Sequence, residues 1–171
     1  HITVVEPSPF AAKYAKKSGA DHVSTGGILE AALEVTGARA YKYLGGGRIL
    51  QGGFDRIYDT VGNSSTIQKG LVSMAFGGTL SMVGICNKIS FDPTPLWLKL
   101  QTFKAAFGYG YNTINGIRKH AFEIALDLLK DKKVYIEDML THTFPIEKYQ
   151  DMIKVNLNKG RSKALKTALL F

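Results

Sequence analysis

The stretch ITVVEPSPFAAKYAKKSGADHV, residues 2–23, joins an apolar strand, an acidic residue and a capped helix. Residues 2–5 are apolar and suited to an extended backbone, and Glu6 follows them directly. Ser8 and Pro9 are typical of a helix start, and Gly19 is typical of a helix end. The stretch therefore predicts a strand with a carboxylate at its carboxyl end, followed by a helix.

Strands and helices alternate from this stretch to about residue 110. Residues 38–53 are predicted to be an irregular connection, because they contain Gly45, Gly46, Gly47 and the pair Gly52 and Gly53. Such alternation predicts an α/β fold with a parallel sheet covered by helices. The further predicted elements are a strand over 21–24, a helix in GGILEAALEVTG, a strand in FDRIYDTVG, a helix in STIQKGLVSMA, and strands in TLSMVGI and in the second half of LKLQTFKAAFGYG.

Beyond Asn112 the pattern changes, and we predict a second domain there. The stretch IRKHAFEIALDLLKDKK is amphipathic and predicts a helix. THTFPIEKYQDMI predicts a short strand and a helix, and KALKTALLF predicts a terminal strand. The expected domains are residues 1–112 and residues 113–171.

The composition excludes several classes of protein. With 45% hydrophobic and 21% charged residues, the 171-residue chain is globular rather than disordered. Its apolar runs are shorter than the ~20 residues that cross a bilayer, so we expect no membrane partner. Cys86 is the only cysteine, which excludes an internal disulfide and favours a reducing, cytoplasmic location.

The net charge of +8 does not by itself predict nucleic-acid binding. The lysines are spread along helices and turns, without the interleaved aromatic residues of a single-strand-binding surface. We therefore expect solvated basic faces and no nucleic-acid partner. An anionic cofactor would also benefit from this charge.

Glu6 stands where a mononucleotide-binding unit holds its acid. In such a unit a glycine turn follows the first strand, and an acid that binds the ribose lies ~20 residues further on, after the second strand. If residues 2–5 are the second strand, the glycine turn would precede His1. The alternative is an exposed acid stabilised by the helix dipole. The triplet at 45–47 lacks GxGxxG or GxxxxGK[ST] spacing and predicts a flexible loop.

Seven stretches, in order and spacing, resemble medium-chain dehydrogenases of the zinc-dependent alcohol dehydrogenase type. The resemblance implies a Rossmann-like, doubly wound parallel sheet that lacks its first strand and glycine turn, with a C-terminal α/β extension that returns to a catalytic domain. It also implies NAD, and zinc held by ligands outside this chain. The stretches are ITVVEPSPFAAKYAKKSGADHV, GGFDRIYDTVG, GGTLSMVGI, TPLWLKLQTFKAAFGYGY, AFEIALDLLKDKK, LTHTFPIEKYQDMI and KALKTALLF.

The resemblance implies cofactor contacts but no catalytic or metal-binding residue in this chain. Ala11 replaces a basic residue that often helps to hold the ribose in the family. The histidines His22, His120 and His142 are interpreted as packing and hydrogen-bonding residues. The implied contacts are Glu6 to the ribose, Pro7 to adenine, Val61 and Gly62 beside the cofactor, Val83, Gly84 and Ile85 on the nicotinamide side, Ala106 and Gly108 at the carboxamide, and Lys166 at the pyrophosphate.

Each implied contact has a structural alternative. Val83 and Ile85 are predicted to be core strand residues whatever they bind, Gly62 could simply form a turn, and Lys166 could be a solvated strand lysine. An acid at Glu6 repels a 2′-phosphate and accepts from a 2′-hydroxyl, so NAD is favoured over NADP.

The implied function is hydride transfer between NAD and a small alcohol or carbonyl substrate, with this chain alone inactive. The resemblance further implies a homodimer through the sheet edge from Phe103 to Gly108. Two alternatives stay open: a zinc-free NADPH-linked quinone or enone reductase of the same superfamily, and a non-catalytic nucleotide-binding domain.

Overall fold

The computed structural model describes residues 1–171, which form two compact units. The first contains His1–Thr25 and Tyr109–Phe171, and the second contains Gly26–Gly108. In chain order the helices and strands are β1 (Thr3–Val5), α1 (Pro9–Lys17), β2 (His22–Ser24), α2 (Ile28–Thr36), β3 (Arg39–Lys42), β4 (Arg48–Gln51), β5 (Phe54–Asp59), α3 (Ser64–Ser73), β6 (Met74–Met82), α4 (Thr94–Leu98), β7 (Thr102–Ala105), β8 (Tyr111–Ile114), β9 (Ile117–His120), α5 (Ala121–Lys130), β10 (Leu140–Pro145), α6 (Tyr149–Leu157), α7 (Lys159–Ser162) and β11 (Lys166–Leu170).

In the first unit, β1 and β2 form a parallel pair connected by α1. Thr3 pairs with His22, and Val5 pairs with Ser24. The Ser8 side chain accepts from the Ala11 N–H, with a donor–acceptor distance of 3.4 Å, so it caps α1 as its position predicts. The predicted order of strand, acid and helix is confirmed.

The helix predicted over 117–133 begins only at Ala121 in the structure, because a hairpin precedes it. Strands β8 and β9 pair antiparallel across a two-residue turn at Asn115 and Gly116, which have φ values of +51° and +79°. An Asn-Gly pair favours this turn, since both residues tolerate positive φ. His120 then caps α5: its Nδ1 accepts from the Phe122 N–H at 3.3 Å. The predicted helix therefore wrongly includes β9, the second strand of this hairpin.

The C-terminal part of the first unit follows the sequence prediction more closely. Strands β10 and β11 form a parallel pair, and a 3-10 turn at Ile146–Lys148 leads into α6. Asn156 of α6 donates to the Thr167 hydroxyl of β11 at 2.7 Å. The strand, helix and terminal strand expected in this region are confirmed.

The second unit is built on a three-stranded parallel sheet with the order β5-β6-β7. Its core lies between the sheet and α3, and the larger residues of that core are almost completely buried. They are Ile57, Ile67, Leu71, Met74 and Leu80. Helix α3 ends at Ser73, two residues before its predicted end, because Met74 is extended and pairs with Phe54 of β5.

Residues 38–53, predicted to be irregular, instead contain an antiparallel hairpin. Strands β3 and β4 pair from Arg39 with Gln51 to Lys42 with Arg48. Leu50 is only 1% exposed and packs with Ala32 and Val72, so the hairpin shares a second hydrophobic cluster with α2 and α3. The glycine triplet lies in the hairpin turn, where Gly45 and Gly46 have positive φ.

Lys99 is a buried lysine that connects three elements of the second unit. It is 6% exposed, and its Nζ donates to the carbonyl oxygens of Leu50 at 2.8 Å, Gly52 at 3.4 Å, Val72 at 3.5 Å and Met74. Burial lowers the pKa of Lys99 from 10.5 to about 8. The carbonyl oxygens oppose that shift, because they favour the ammonium form.

The burial of Lys99 predicts that the free energy of unfolding rises with pH. Because the pKa is about 8 in the folded state and 10.5 in the unfolded state, the unfolded chain binds more protons between these values. The free energy of unfolding should then rise by no more than about 3 kcal/mol across that window. Urea unfolding at several pH values measures it. In Lys99→Met this component should vanish, and an identical pH profile in both proteins would contradict the assignment.

Candidate functional site

Parallel strands β5, β6 and β7 end at one edge of their sheet, and most of the predicted site residues follow these ends. We call residues 61–62, 83–85 and 106–108 the carboxyl edge. In open α/β sheets ligands bind at this edge, in the crevice outside the strand ends. The structure therefore brings together Val61, Gly62, Val83, Gly84, Ile85 and Ala106, with Gly108 two residues further on.

Gly62 and Gly84 touch through their backbones. Gly62 has a φ of +74°, and a Cβ built on it would lie 2.8 Å from the Gly84 carbonyl oxygen. A Cβ on Gly84 would lie 2.5 Å from the carbonyl carbon of Val61. Larger residues do not fit at either position, because the loop at Gly62 packs directly on the loop after β6.

The apolar side chains of the carboxyl edge face outward. Val61 is 58% exposed, Val83 48% and Ile85 89%. The alternative that Val83 and Ile85 are core strand residues is therefore wrong, because β6 ends at Met82 and both side chains lie beyond it. An exposed apolar surface at strand ends suits the face of a planar ring.

Asp59, which the sequence analysis did not single out, connects the loops of the carboxyl edge. Its carboxylate accepts from the N–H groups of Val61 at 2.9 Å and Gly62 at 3.1 Å. Its backbone carbonyl accepts from the N–H groups of Val83 at 2.8 Å and Gly84 at 2.9 Å. An acid at the end of a buried strand, directly before TVG, was the signal that could have identified it.

Glu6 and Pro7 lie in the first unit, at the carboxyl end of the parallel pair β1–β2. The Glu6 N–H donates to the Ser24 carbonyl at 2.9 Å, which extends the pairing by one residue. The half-buried carboxylate accepts from the Ser8 N–H at 2.8 Å through Oε1. Glu6 therefore stabilises the start of α1, and its second oxygen, Oε2, stays open to a further donor. Pro7 is exposed beside it.

Lys166 also lies in the first unit, as the first residue of β11. Its side chain is exposed, and its carbonyl accepts from the Thr141 hydroxyl at 3.1 Å. The Nδ1 atom of His142 lies 3.0 Å from that same hydroxyl oxygen, and the His142 ring stacks on Phe144. His22 of β2 pairs with Thr3 of β1.

The chain itself offers no zinc site. No three residues among its His, Cys, Asp and Glu are grouped so that they could hold a metal ion. The Sγ atom of Cys86 lies 3.6 Å from the Sδ atom of Met82. None of the helices combines the length and apolar character needed to cross a bilayer.

Residues 1–131 match the sequence model of a family described as zinc-binding dehydrogenase. The search of curated proteins finds no match. Among solved structures, an alcohol dehydrogenase zinc-binding domain protein from Burkholderia ambifaria is similar, with a TM-score of 0.70 and 19% identity over 99% of this chain and 41% of its own.

Two further structures show the same likeness. A 2R,3R-butanediol dehydrogenase from Bacillus subtilis has a TM-score of 0.68 and 20% identity, over 97% of this chain and 42% of its own. A short chain alcohol dehydrogenase from Escherichia coli, solved with NADH, has a TM-score of 0.71 and 17% identity, over 100% of this chain and 44% of its own. The chain thus spans less than half the length of these proteins, and the Rossmann-like α/β fold is confirmed.

Gly62→Ala should destabilise the protein more than Gly77→Ala does. Both glycines have positive φ, +74° and +68°, so both substitutions cost about 1–2 kcal/mol of backbone strain. Only Gly62→Ala adds a collision with Gly84, because a Cβ on Gly77 meets nothing within 4 Å. Chemical denaturation of both variants measures the difference. Equal losses would show that the contact between the loops is not tight.

Proposed function

This chain belongs to the zinc-binding dehydrogenase family, and we therefore propose that it is the cofactor-binding part of an oxidoreductase that transfers hydride between NAD and a small alcohol or carbonyl substrate. The observation that carries the proposal is the carboxyl edge, where loops with exposed apolar side chains and close-packed glycines end three parallel strands. The family and this geometry support the same kind of ligand.

At the carboxyl edge we assign the nicotinamide end of the cofactor. Val61, Val83 and Ile85 would contact the ring with their exposed side chains. The Ala106 N–H already donates to the Met82 carbonyl at 2.9 Å, so the carbonyl of Ala106 is the group left to accept from a carboxamide. Gly108 has a φ of +74° and open space around it, which allows a close approach of the same group.

At the end of β1 we assign the adenosine. Glu6 Oε2 would accept from a ribose hydroxyl while Oε1 keeps its bond to the Ser8 N–H. Pro7 would lie against adenine, and Lys166 would donate to the pyrophosphate. The charge of Glu6 supports NAD over NADP, since a 2′-phosphate would be repelled.

The proposed reaction would interconvert an alcohol and its carbonyl compound, with a proton released to solvent in the direction of oxidation. The nicotinamide supplies this redox chemistry when bound. The residues of this chain would hold and orient the ring, which lowers the entropic cost of reaching the reacting geometry. We propose that zinc is held by residues outside this chain, because the chain groups no ligands for it.

We also propose a homodimer and a cytoplasmic location, without nucleic-acid or membrane partners. Strand β7 lies at the end of the order β5-β6-β7, so the edge from Phe103 to Gly108 is open in the second unit. An open strand edge favours pairing with a second copy. The single cysteine, Cys86, supports a reducing compartment. The division at residue 112 stays a prediction about the domains.

Glu6→Gln in the full-length protein should weaken NAD binding about tenfold, because a charge-assisted hydrogen bond becomes a neutral one. Gln still accepts from the Ser8 N–H, so the start of α1 is kept. Titration calorimetry with NAD and NADP measures the Kd values, and the preference for NAD should shrink. Glu147→Gln, which removes an exposed acid from the same unit, is the control.

The wild-type measurements separate the alternatives. Bound zinc, NAD preference and turnover support the proposal. An NADPH preference without zinc indicates a quinone or enone reductase, and binding without turnover indicates a non-catalytic domain. Unchanged NAD affinity in Glu6→Gln would refute the role of Glu6.

Ala105→Pro should convert the proposed dimer into a monomer. Because the Ala106 N–H points to β6, the N–H of Ala105 points to the open edge, and proline removes that donor without breaking the pairing within the sheet. Sedimentation velocity of the full-length protein measures the mass. Ala105→Val keeps the N–H and should stay dimeric. A wild-type monomer, or a dimer that survives Ala105→Pro, would exclude this interface.

A further inference from the structure

We propose that Asp59 is the positioning residue of the carboxyl edge, a role that rests on the proposed function. Its side chain and backbone carbonyl together hold the loop after β5 and the loop after β6. Asp59 itself is 7% exposed, so it does not present its carboxylate to a ligand. It acts through the loops that would touch the cofactor.

The carboxylate of Asp59 accepts three hydrogen bonds, more than most side chains are able to accept. Oδ1 accepts from both the Val61 and the Gly62 N–H, and Oδ2 accepts from the Thr66 hydroxyl at 2.8 Å. An ionised carboxylate is an acceptor at both oxygens, which suits this set. The segment from Asp59 to Thr66 is thereby closed into a rigid loop.

Helix α3 anchors this loop at its other end. The Asn63 side chain accepts from the Thr66 N–H at 2.9 Å, and the Thr66 hydroxyl oxygen accepts from the Asn63 N–H at 3.3 Å. This reciprocal capping box fixes Thr66, which in turn donates to Asp59. The start of α3 therefore helps to position the Asp59 carboxylate, and the carboxylate in turn holds the loop at Val61 and Gly62.

The direction of these hydrogen bonds decides what the carboxyl edge offers to a ligand. Four N–H groups, from Val61, Gly62, Val83 and Gly84, point inward to Asp59. These four residues therefore have their carbonyl oxygens and, at Val61 and Val83, apolar side chains left to present outward. This combination suits a planar ring carrying an amide donor better than an anion, which would need the N–H groups that Asp59 already holds.

Asp59→Ala tests the proposal in the full-length protein, with the Kd values of NAD and AMP as the readout. Loss of the acceptor frees both loop N–H groups, so NAD should bind about tenfold more weakly or worse. AMP lacks the nicotinamide end and should bind as before. A merely structural defect would not separate the two ligands.

Asp59→Asn provides the rescue and Ser73→Ala the matched control. Asn keeps an oxygen for Val61 and Gly62 and donates to the Thr66 hydroxyl, which then donates to the Asn63 carbonyl 3.1 Å away. NAD affinity should return to within about threefold of wild type. Ser73 is a fully buried polar residue of the same unit whose hydroxyl has no hydrogen-bond partner, so Ser73→Ala should change neither Kd.

Hydrogen exchange in the wild-type protein gives an answer even if Asp59→Ala does not fold. The amides of Val61 and Gly62 should be protected at least about tenfold before NAD is added, because Asp59 already holds them. Rapid exchange without NAD, or equal weakening of NAD and AMP in Asp59→Ala, would overturn the proposal. A wild-type protein that binds neither ligand would instead refute the proposed function.

Discussion

The contact between the Gly62 and Gly84 backbones fixes the shape of the carboxyl edge. It allows the loops after β5 and β6 to close on each other with no side chain between them. The parallel register from Ile57 with Leu80 to Asp59 with Met82 sets the two strand ends level. Because the strands are level, one residue, Asp59, reaches donors on both loops. The apolar side chains of the edge are consequently turned outward.

The two ends of the proposed cofactor would meet different chemistry. At the adenosine end the chain offers the carboxylate of Glu6. Its Oε1 accepts from the Ser8 N–H, and its Oε2 could accept a further hydrogen bond. At the nicotinamide end it offers carbonyl groups and apolar surface. A buried acid organises that second region without facing it. In the proposal a carboxylate would thus act at both ends, by direct contact at Glu6 and through the backbone at Asp59.

Local patterns explain what the sequence could and could not predict. The element from Ile2 to Gly19 was predictable because its strand, acid and cap are contiguous. The β3–β4 hairpin was missed because its glycines resemble a linker, although burial of Leu50 holds it in the core. Strand β9 was missed because the apolar spacing of α5 continues into it, despite the Asn-Gly turn. Asp59 was missed because four of its five hydrogen-bond partners are backbone N–H groups, which a sequence does not display.

Lys99 lies deep in the second unit with its amine surrounded by backbone carbonyls of Leu50, Gly52, Val72 and Met74. An amine-directed reagent should therefore modify Lys99, which is 6% exposed, more slowly than exposed lysines such as Lys166. Separation of the hairpin, the helix and the sheet would expose the amine further and speed its acylation. The rate of acylation at Lys99 should consequently report how often the second unit opens.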